Sequence, residues 1–278
     1  MDGLFAGLGL DNLEGVDLFE DPKKKEEEAK AEAKHVVQES DFIYEKSLEC
    51  PVCGAKAINK IPKTSKARLL GNDRDLRPIH EGIDTQKYDV LLCHTCGYAA
   101  LSRFFSQVTS AQAKLIKENI TPKVVLHEYN GETYSYEDAI ERYKLALANA
   151  VVKHAKNSEK AYISLKSAWI FRGYAKSLEE AGGSDAAAIE EAHKMEALHL
   201  QNAYKGFAEA LSTENFPMCG MDEVTMDYLL GVLAYQNKDY ERSSKFVAKV
   251  LTAPGATLRI KDKARDLKDD ILRDMKKK

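Results

Sequence analysis

The sequence has no long hydrophobic run, and this absence sets its broad class. The chain has 278 residues, of which 44% are apolar and 31% are charged. No apolar stretch approaches the ~20 residues that a membrane-spanning helix needs. The first residues, MDGLFAGLGLDNLEGVDLFED, have neither the basic start nor the compact apolar centre of a secretory signal. We therefore expect a soluble, cytoplasmic protein with no membrane partner.

Cysteine is also scarce, and its count is odd. The chain has five cysteines, and four of them form two C-x-x-C pairs. A small secreted scaffold held together by disulfides has a higher and even number of cysteines. The count therefore favours reduced thiols in a cytosol.

Several motifs that would indicate a catalytic activity are absent from the sequence. The sequence contains no phosphate-binding glycine loop, no HExxH pair and no nucleophile elbow. We therefore expect a protein that is not an enzyme.

Charge is distributed unevenly, and this divides the chain into parts. Residues 1–45 contain thirteen carboxylates and five lysines, whereas residues 46–104 contain ten basic and six acidic side chains. We predict an acidic N-terminal arm and linker (1–40), a cysteine module (41–104) and a helical domain (105–278). The arm carries leucine and phenylalanine among its acids, which leaves two interpretations open: a flexible terminus, or a short docking peptide.

The hydrophobic pattern changes from strands to helices along the chain. FIYEKSLEC, AKAINKI and KYDVLLC predict short strands beside the cysteines, and GNDRDLRPIHEGID between them predicts a loop. Past Gly97, eight segments from YAALSRFFSQ to IKDKARDLKDDILRDM place apolar residues at helical spacing. The expected fold is mainly α, with a small β-rich module like a zinc ribbon followed by an all-helical body.

The two cysteine pairs predict one metal site. Each C-x-x-C turn directs two thiolates to one point, and the glycine that follows allows the left-handed conformation that leaves the turn. Four soft thiolates in a tetrahedron favour zinc, with iron as the main competitor. Such a site has no open position for water, which indicates a structural ion. The predicted ligands are Cys50, Cys53, Cys93 and Cys96.

Thirty-nine residues separate Cys53 from Cys93, about twice the common ribbon spacing, so the loop between the two cysteine pairs is an insertion. Asp73, Asp75 and His80 lie in it and could bind a second metal or move protons, although turn formation and salt bridges also explain them. His94 lies inside the second turn. The fifth cysteine, Cys219, is expected to be a loop or core thiol instead of a nucleophile.

The helical part contains a repeated pattern. A small residue is followed four positions later by a larger apolar one, and three positions later by another small or aliphatic one. This spacing resembles the tetratricopeptide helix pair, whose small residues let helices approach closely; Gly231, and the pair Trp169 and Gly173, fit the preceding helices. The three copies are Ala139, Tyr143 and Ala146; Ala203, Phe207 and Ala210; and Ser243, Val247 and Val250.

Four phrases together resemble a known family. CPVCG, NDRDLRP, YDVLLCHTCGYAAL and YLLGVLAYQNKDYE are similar to the uncharacterised bacterial family called domain of unknown function 2225, over roughly residues 40–255. His94 departs from the proline expected there by analogy with the first turn. The resemblance implies a metal-binding, tetratricopeptide-like protein and no known reaction.

Three functions compete at this stage. The first is a zinc-stabilised interaction scaffold whose helical groove binds a peptide or protein. The second is nucleic-acid binding by basic residues of the cysteine module. The third is a metal-dependent enzyme that uses Asp73, Asp75 and His80. The sequence leaves the oligomeric state open. The basic residues are Lys46, Lys56, Lys60, Lys63, Lys66, Arg68, Arg74 and Arg77.

Overall fold

A computed structural model describes residues 38–127, 129, 131–183 and 185–276 of the chain. The predictions for the acidic arm fall on residues 1–37, which lie outside the described residues. Residues 39–278 form one compact unit. None of the described helices is long and apolar enough to cross a membrane.

Three antiparallel two-stranded ribbons form the N-terminal part of this unit. Strand β1 pairs with β2, β3 with β4, and β5 with β6. A 3-10 turn at Glu39–Phe42 precedes β1, and another at Thr85–Tyr88 precedes β5. The strands are β1 (Ile43–Glu49), β2 (Lys56–Pro62), β3 (Leu69–Asn72), β4 (Pro78–His80), β5 (Val90–Leu92) and β6 (Ala99–Leu101).

Seven α-helices follow within the described residues. Six of them begin after a Ser, Thr or Asp whose side chain accepts a hydrogen bond from the backbone of the first turn, as expected for N-caps. The helices are α1 (Ser110–Asn119), α2 (Tyr136–Val152), α3 (Asn157–Glu180), α4 (Ala186–Thr213), α5 (Glu223–Gln236), α6 (Tyr240–Thr252) and α7 (Leu258–Met275).

The predicted fold class is confirmed: a small β-rich cysteine module precedes an all-helical body. The boundary at residue 104 stays a prediction. Two local predictions were wrong. YAALSRFFSQ forms β6 and a series of turns because Ala99–Leu101 pair with Val90–Leu92. The predicted loop contains the β3–β4 hairpin, whose turn is closed by the bond from the Asp73 amide to the Arg77 carbonyl at 2.8 Å.

The core of the module is continuous with the core of the helices. Val90, Leu92 and Leu101 from β5 and β6 pack against Ala139 and Tyr143 of α2. All nine residues of the repeated helical pattern are buried, with at most 2% of their surface exposed. The periodicity therefore identified the inward faces of α2, α4 and α6 correctly.

The long helices α3 and α4 pack against each other and enclose a buried histidine. The ring of His199 stacks on Phe171 with centroids 5.5 Å apart and planes 19° apart. Burial lowers the pKa of His199 to about 4, and the charge of Lys144 adds to this shift. The folded protein therefore holds this imidazole neutral.

Acid is expected to destabilise the protein through His199. The unfolded chain, with a histidine pKa near 6.5, takes up a proton before the folded chain does, so stability falls from about pH 6.5 towards pH 4. At pH 5 this amounts to about 2 kcal/mol. Urea unfolding at pH 7.5 and 5.0 should show that His199→Leu removes this part of the pH dependence. His193→Leu, at an exposed position of α4, is the control. Equal pH dependence in both variants and in the parent chain would contradict the assignment.

Candidate metal centre

Each C-x-x-C pair forms a turn with the same backbone geometry. In the first turn the Cys50 amide donates to the Ala55 carbonyl at 2.9 Å, and the Gly54 amide donates to the Cys50 carbonyl at 2.9 Å. In the second turn Cys93 and Gly97 make the equivalent bonds, at 2.8 and 2.9 Å. Gly54 and Gly97 both have a positive φ, 75° and 74°. The chain therefore builds the same turn twice, as its sequence predicted.

The four predicted sulfur atoms converge. Cys50 Sγ lies 3.7 Å from Cys96 Sγ, and Cys53 Sγ lies 3.6 Å from Cys93 Sγ. All four lie within 4.8 Å of one another. A tetrahedral shell with metal–sulfur bonds of about 2.3 Å has edges of about 3.8 Å. The four cysteines therefore fit a single tetrahedral metal ion.

The pKa values of the cysteines make metal binding depend on pH. The hydrogen bond with Cys93 raises the pKa of Cys50 to about 11, and hydrogen bonds to Cys50 and Cys93 raise the pKa of Cys96. Hydrogen bonds from these two thiols lower the pKa of Cys93. Metal ligation requires the cysteines as thiolates. A bound cation displaces the remaining protons, so metal affinity falls as the pH falls.

Side chains of the helical body support the second turn. Thr121 Oγ1 donates to the Cys96 carbonyl at 2.9 Å, and Asn149 Nδ2 of α2 donates to the Gly97 carbonyl at 3.0 Å. Asn149 is fully buried. These bonds satisfy the carbonyls of the turn and fix its orientation against α2.

A buried asparagine joins the two cysteine ribbons. Asn59 Nδ2 of β2 donates to the Leu92 carbonyl at 3.1 Å, and the Leu92 amide donates to Asn59 Oδ1 at 2.9 Å. Leu92 directly precedes Cys93. The pair of bonds therefore holds the ribbon of the first turn beside the ribbon of the second.

A buried arginine of α2 completes this arrangement. Arg142 donates to Asn59 Oδ1 and to the Val90 carbonyl, with Nη2 2.8 Å from the latter. Its guanidinium lies over the rings of Tyr134 and Tyr129, 4.3 and 5.3 Å from their centroids. Burial lowers the pKa of Arg142. Arg142 and Asn59 were not predicted, because in the sequence they resemble any other polar residues.

Comparison with known proteins identifies the family. The sequence pattern of uncharacterized proteins conserved in bacteria, domain of unknown function 2225, matches residues 43–271. The chain belongs to this family. The resemblance stated from the cysteine turns and the YLLGVLAYQNKDYE phrase is thus confirmed. No curated protein and no solved structure matches the chain.

In this member of domain family 2225, the insertion acids bind an arginine of the helical body. Arg172 of α3 donates to Asp73 Oδ2 at 3.1 Å and to Asp75 at 3.1 and 2.6 Å. Its Nε donates to Glu196 Oε1 of α4 at 2.7 Å. Asp75 is only 1% exposed, so its charge needs these bonds. The two aspartates therefore anchor the hairpin to the helices.

His80 has a side-chain contact of its own, outside the ion pairs of Arg172. Its Nδ1 lies 3.1 Å from Thr85 Oγ1, and burial lowers its pKa while Asp84 opposes the shift. His80 and Asp73 nevertheless line the same groove, which we call the hairpin groove. It has a volume of about 320 Å³. The residues that define it include Asp73, Arg77, Ile79, His80 and Asp84 from the insertion, and Tyr136, Arg172, Lys176, Ser177 and Glu180 from the helices.

The three arginines of the predicted basic patch lie beside carboxylates. Arg77 Nη2 lies 2.7 Å from Asp84 Oδ2, Arg74 pairs with Asp270 of α7, and Arg68 lies 3.7 Å from Glu81. The five lysines of the patch are outside these three pairs. Nucleic-acid binding therefore stays a prediction.

The remaining candidate residues also have structural contacts. Cys219 Sγ lies 3.3 Å from the Ser158 carbonyl, and burial raises the pKa of Cys219 to about 12, so the thiol stays protonated. The exposed ring of His94 contacts Tyr129 edge-on at 5.5 Å. Within the described residues, the metal cluster consists of the four cysteines.

The two glycines that end the cysteine turns are expected to differ in their tolerance of alanine. An added Cβ at Gly54 meets no atom within 4 Å, whereas one at Gly97 would lie 2.5 Å from Val124 Cγ1. Both substitutions should lower the free energy of unfolding by about 1–2 kcal/mol, because alanine disfavours a positive φ. Gly97→Ala should lose about 1–3 kcal/mol more, because its Cβ crowds Val124. Denaturant unfolding of the metal-loaded variants measures this difference. Equal losses would show that Val124 moves aside without cost.

Proposed function

We propose that the chain is a zinc-stabilised interaction scaffold. In this proposal a structural zinc ion holds the cysteine module together, and the helical body presents a groove to a peptide or protein partner. The main observation behind the proposal is that four cysteine sulfurs converge on one point, in turns that helical side chains support. Four sulfur ligands would leave no coordination position of the ion vacant. Four protein ligands complete a tetrahedral shell, which is the arrangement of structural zinc sites.

The donor set supports zinc over the alternatives. Thiolates are soft ligands that select zinc or iron and disfavour magnesium and calcium. Because Cys50, Cys93 and Cys96 are at most 3% exposed, solvent and substrate have little access to an ion at the centre. The proposal therefore assigns the ion a role in folding and assigns the protein no reaction.

The helical body supports tetratricopeptide-like packing. Helices α5 and α6 are adjacent, and Ser243 Oγ of α6 donates to the Gly231 carbonyl of α5 at 2.7 Å. An added Cβ at Gly231 would lie 3.5 Å from Val247. The 3.5 Å distance is an ordinary van der Waals contact, so the close contact of α5 and α6 at these predicted repeat positions rests on the Ser243 bond. Stacked helix pairs of this kind commonly bind peptides.

The proposal assigns the partner site to the hairpin groove. Its helical wall comes from α3 and from Tyr136 of α2, and its other wall is the insertion hairpin, which Arg172 fixes in place. The hairpin also exposes large apolar side chains: Ile79, which lines the groove, is 42% exposed, and Leu69, which pairs with His80, is 54% exposed. A groove beside an exposed apolar patch is typical of protein-binding surfaces.

Cobalt(II) replacement of the metal tests the closed four-sulfur site. Under reducing conditions, the protein should show intense tetrahedral absorption bands and strong thiolate charge transfer, both unchanged by added imidazole. Cys219→Ser should give the same spectrum, since Cys219 lies outside the cluster. A weaker spectrum that changes with imidazole would indicate an open coordination position and would contradict the structural assignment.

A charge exchange in the hairpin groove tests partner binding. Lys176 and Glu180 are exposed, line the groove and lie 3.6 Å apart as an i,i+4 pair. The double variant Lys176→Glu, Glu180→Lys keeps a pair and should leave stability within about 0.5 kcal/mol. We expect about tenfold weaker capture of partners, measured by quantitative pull-down from bacterial lysate, because the charges facing the partner are inverted.

An equivalent pair on α1 provides the control. Lys114 and Glu118 are exposed and lie 3.8 Å apart with the same spacing. Lys114→Glu, Glu118→Lys makes the same chemical change outside the groove and should leave capture unaltered. Metal content should be equal in both variants. If both variants capture the same proteins as the parent chain, the groove is not the partner site.

A further inference from the structure

The two cysteine turns have the same backbone but very different surroundings. Thr121 and Asn149 donate hydrogen bonds to carbonyls of the second turn. Gly97 lies so close to Val124 that an added Cβ would be 2.5 Å from its Cγ1. The first turn is only partly enclosed: Cys50 and Val52 are buried in a core cluster with Ile116 of α1, whereas Pro51, Cys53 and Gly54 are exposed. No side chain of the described residues bonds the carbonyls of Cys53 or Gly54. The second turn is therefore the fixed half of the metal centre, and the first turn, whose outer edge faces solvent, is the open half.

The exposure of the four thiols differs in the same way. Cys50, Cys93 and Cys96 are buried, at 1%, 0% and 3% exposed, whereas Cys53 is the one of the four that is not buried. A small oxidant in solution therefore meets Cys53 before the other three. Thiolate character and access together decide which cysteine is oxidised. A thiolate that binds a cation keeps further lone pairs and remains nucleophilic. Cys53 therefore combines thiolate character with access to solvent.

The geometry also supplies a partner thiol for an oxidised Cys53. Cys93 Sγ lies 3.6 Å away, and all four sulfurs lie within 4.8 Å of one another. Cys93 belongs to the second turn, so a bond between the two would join the open half of the centre to the fixed half. The two sulfurs must approach each other by about 1.5 Å to reach the disulfide bond length of about 2.05 Å.

We propose that Cys53 is a redox-modification site, at which a hydroperoxide starts formation of a Cys53–Cys93 disulfide that dismantles the metal centre. The inference rests on the proposed structural metal site and adds a regulatory chemistry to it.

The reaction has two balanced steps. The Cys53 thiolate attacks one peroxide oxygen: an S–O bond forms, the O–O bond breaks, and the second oxygen leaves as water (or alcohol) after taking a proton. The Cys93 thiolate then attacks the sulfenic sulfur: an S–S bond forms, the S–O bond breaks, and the hydroxide leaves as water after taking a proton. Two thiolates lose two electrons and the peroxide gains them.

The disulfide removes two of the four ligands and thereby releases the ion. Cys50 and Cys96 remain as two thiolates, which do not complete a tetrahedral shell. Thr121 and Asn149 continue to hold the second turn, so the change is concentrated in the first turn and in β1 and β2. A thiol reductant would reverse the disulfide and restore the site.

The test uses the full-length, zinc-loaded chain with Cys219→Ser as the background, so that every remaining thiol belongs to the cluster. Hydrogen peroxide is added at one equivalent per protein, and free thiols are then blocked with N-ethylmaleimide at intervals. Peptide mass mapping identifies which cysteines have reacted, and a colorimetric chelator measures released zinc. We expect Cys53–Cys93 as the first disulfide, with zinc released in step with it, about one ion per disulfide.

Two further measurements test whether Cys53 is the first cysteine to react. Cys53→Ser, in the same background, should lower the rate of peroxide oxidation about tenfold. If this variant does not fold, brief N-ethylmaleimide labelling of the intact cluster decides instead, and Cys53 should react first. First oxidation at Cys50 or Cys96, or equal rates at all four cysteines, would overturn the inference. A chain that retains no zinc before oxidation would instead refute the proposed function itself.

Discussion

The fold depends on bringing together two cysteine turns that lie far apart in the chain. A bound ion can hold the sulfurs, but the backbone around them must first be positioned. Asn59 does this by exchanging two hydrogen bonds with Leu92, the residue before Cys93. Arg142 then bonds both Asn59 and the Val90 carbonyl. Because a buried guanidinium without these bonds would be costly, the network specifies one arrangement of β2, β5 and α2.

The long insertion is tied down at its far end as well as at the cysteines. Arg172 of α3 binds both Asp73 and Asp75 at the hairpin turn, and also Glu196 of α4. Arg74 of the same turn pairs with Asp270 of α7. Burial lowers the pKa of Arg172 and the Asp75 carboxylate raises it, with a net rise, so the cation remains charged. The insertion therefore connects the metal centre to three helices.

Local signals predicted a large part of this structure, and tertiary pairing explains the rest. The four cysteines and their glycines, the helices after residue 109 and the inward helical faces all follow from spacing within a few residues. The hairpin and β6 were missed because their strands are only three or four residues long and depend on their partners. The bonds of Arg142 to Asn59 and Arg172 to Asp75 join residues 83 and 97 positions apart. Nothing in a single sequence marks such pairs.

The metal centre and the hairpin groove are parts of one connected structure. The insertion begins just after β2 and ends just before β5, the two strands that carry the network beside the cysteines. Its hairpin turn supplies Asp73 to the wall of the groove. If the cysteines hold an ion as proposed, its loss would leave Asn59 and Arg142 as the restraint on β2 and β5 and would weaken one of the two anchors of the hairpin. Under the proposed function, metal retention and partner binding are then thermodynamically linked, and linkage is reciprocal. A partner that requires the closed groove would therefore stabilise the metal site by the same free energy by which the metal favours the partner.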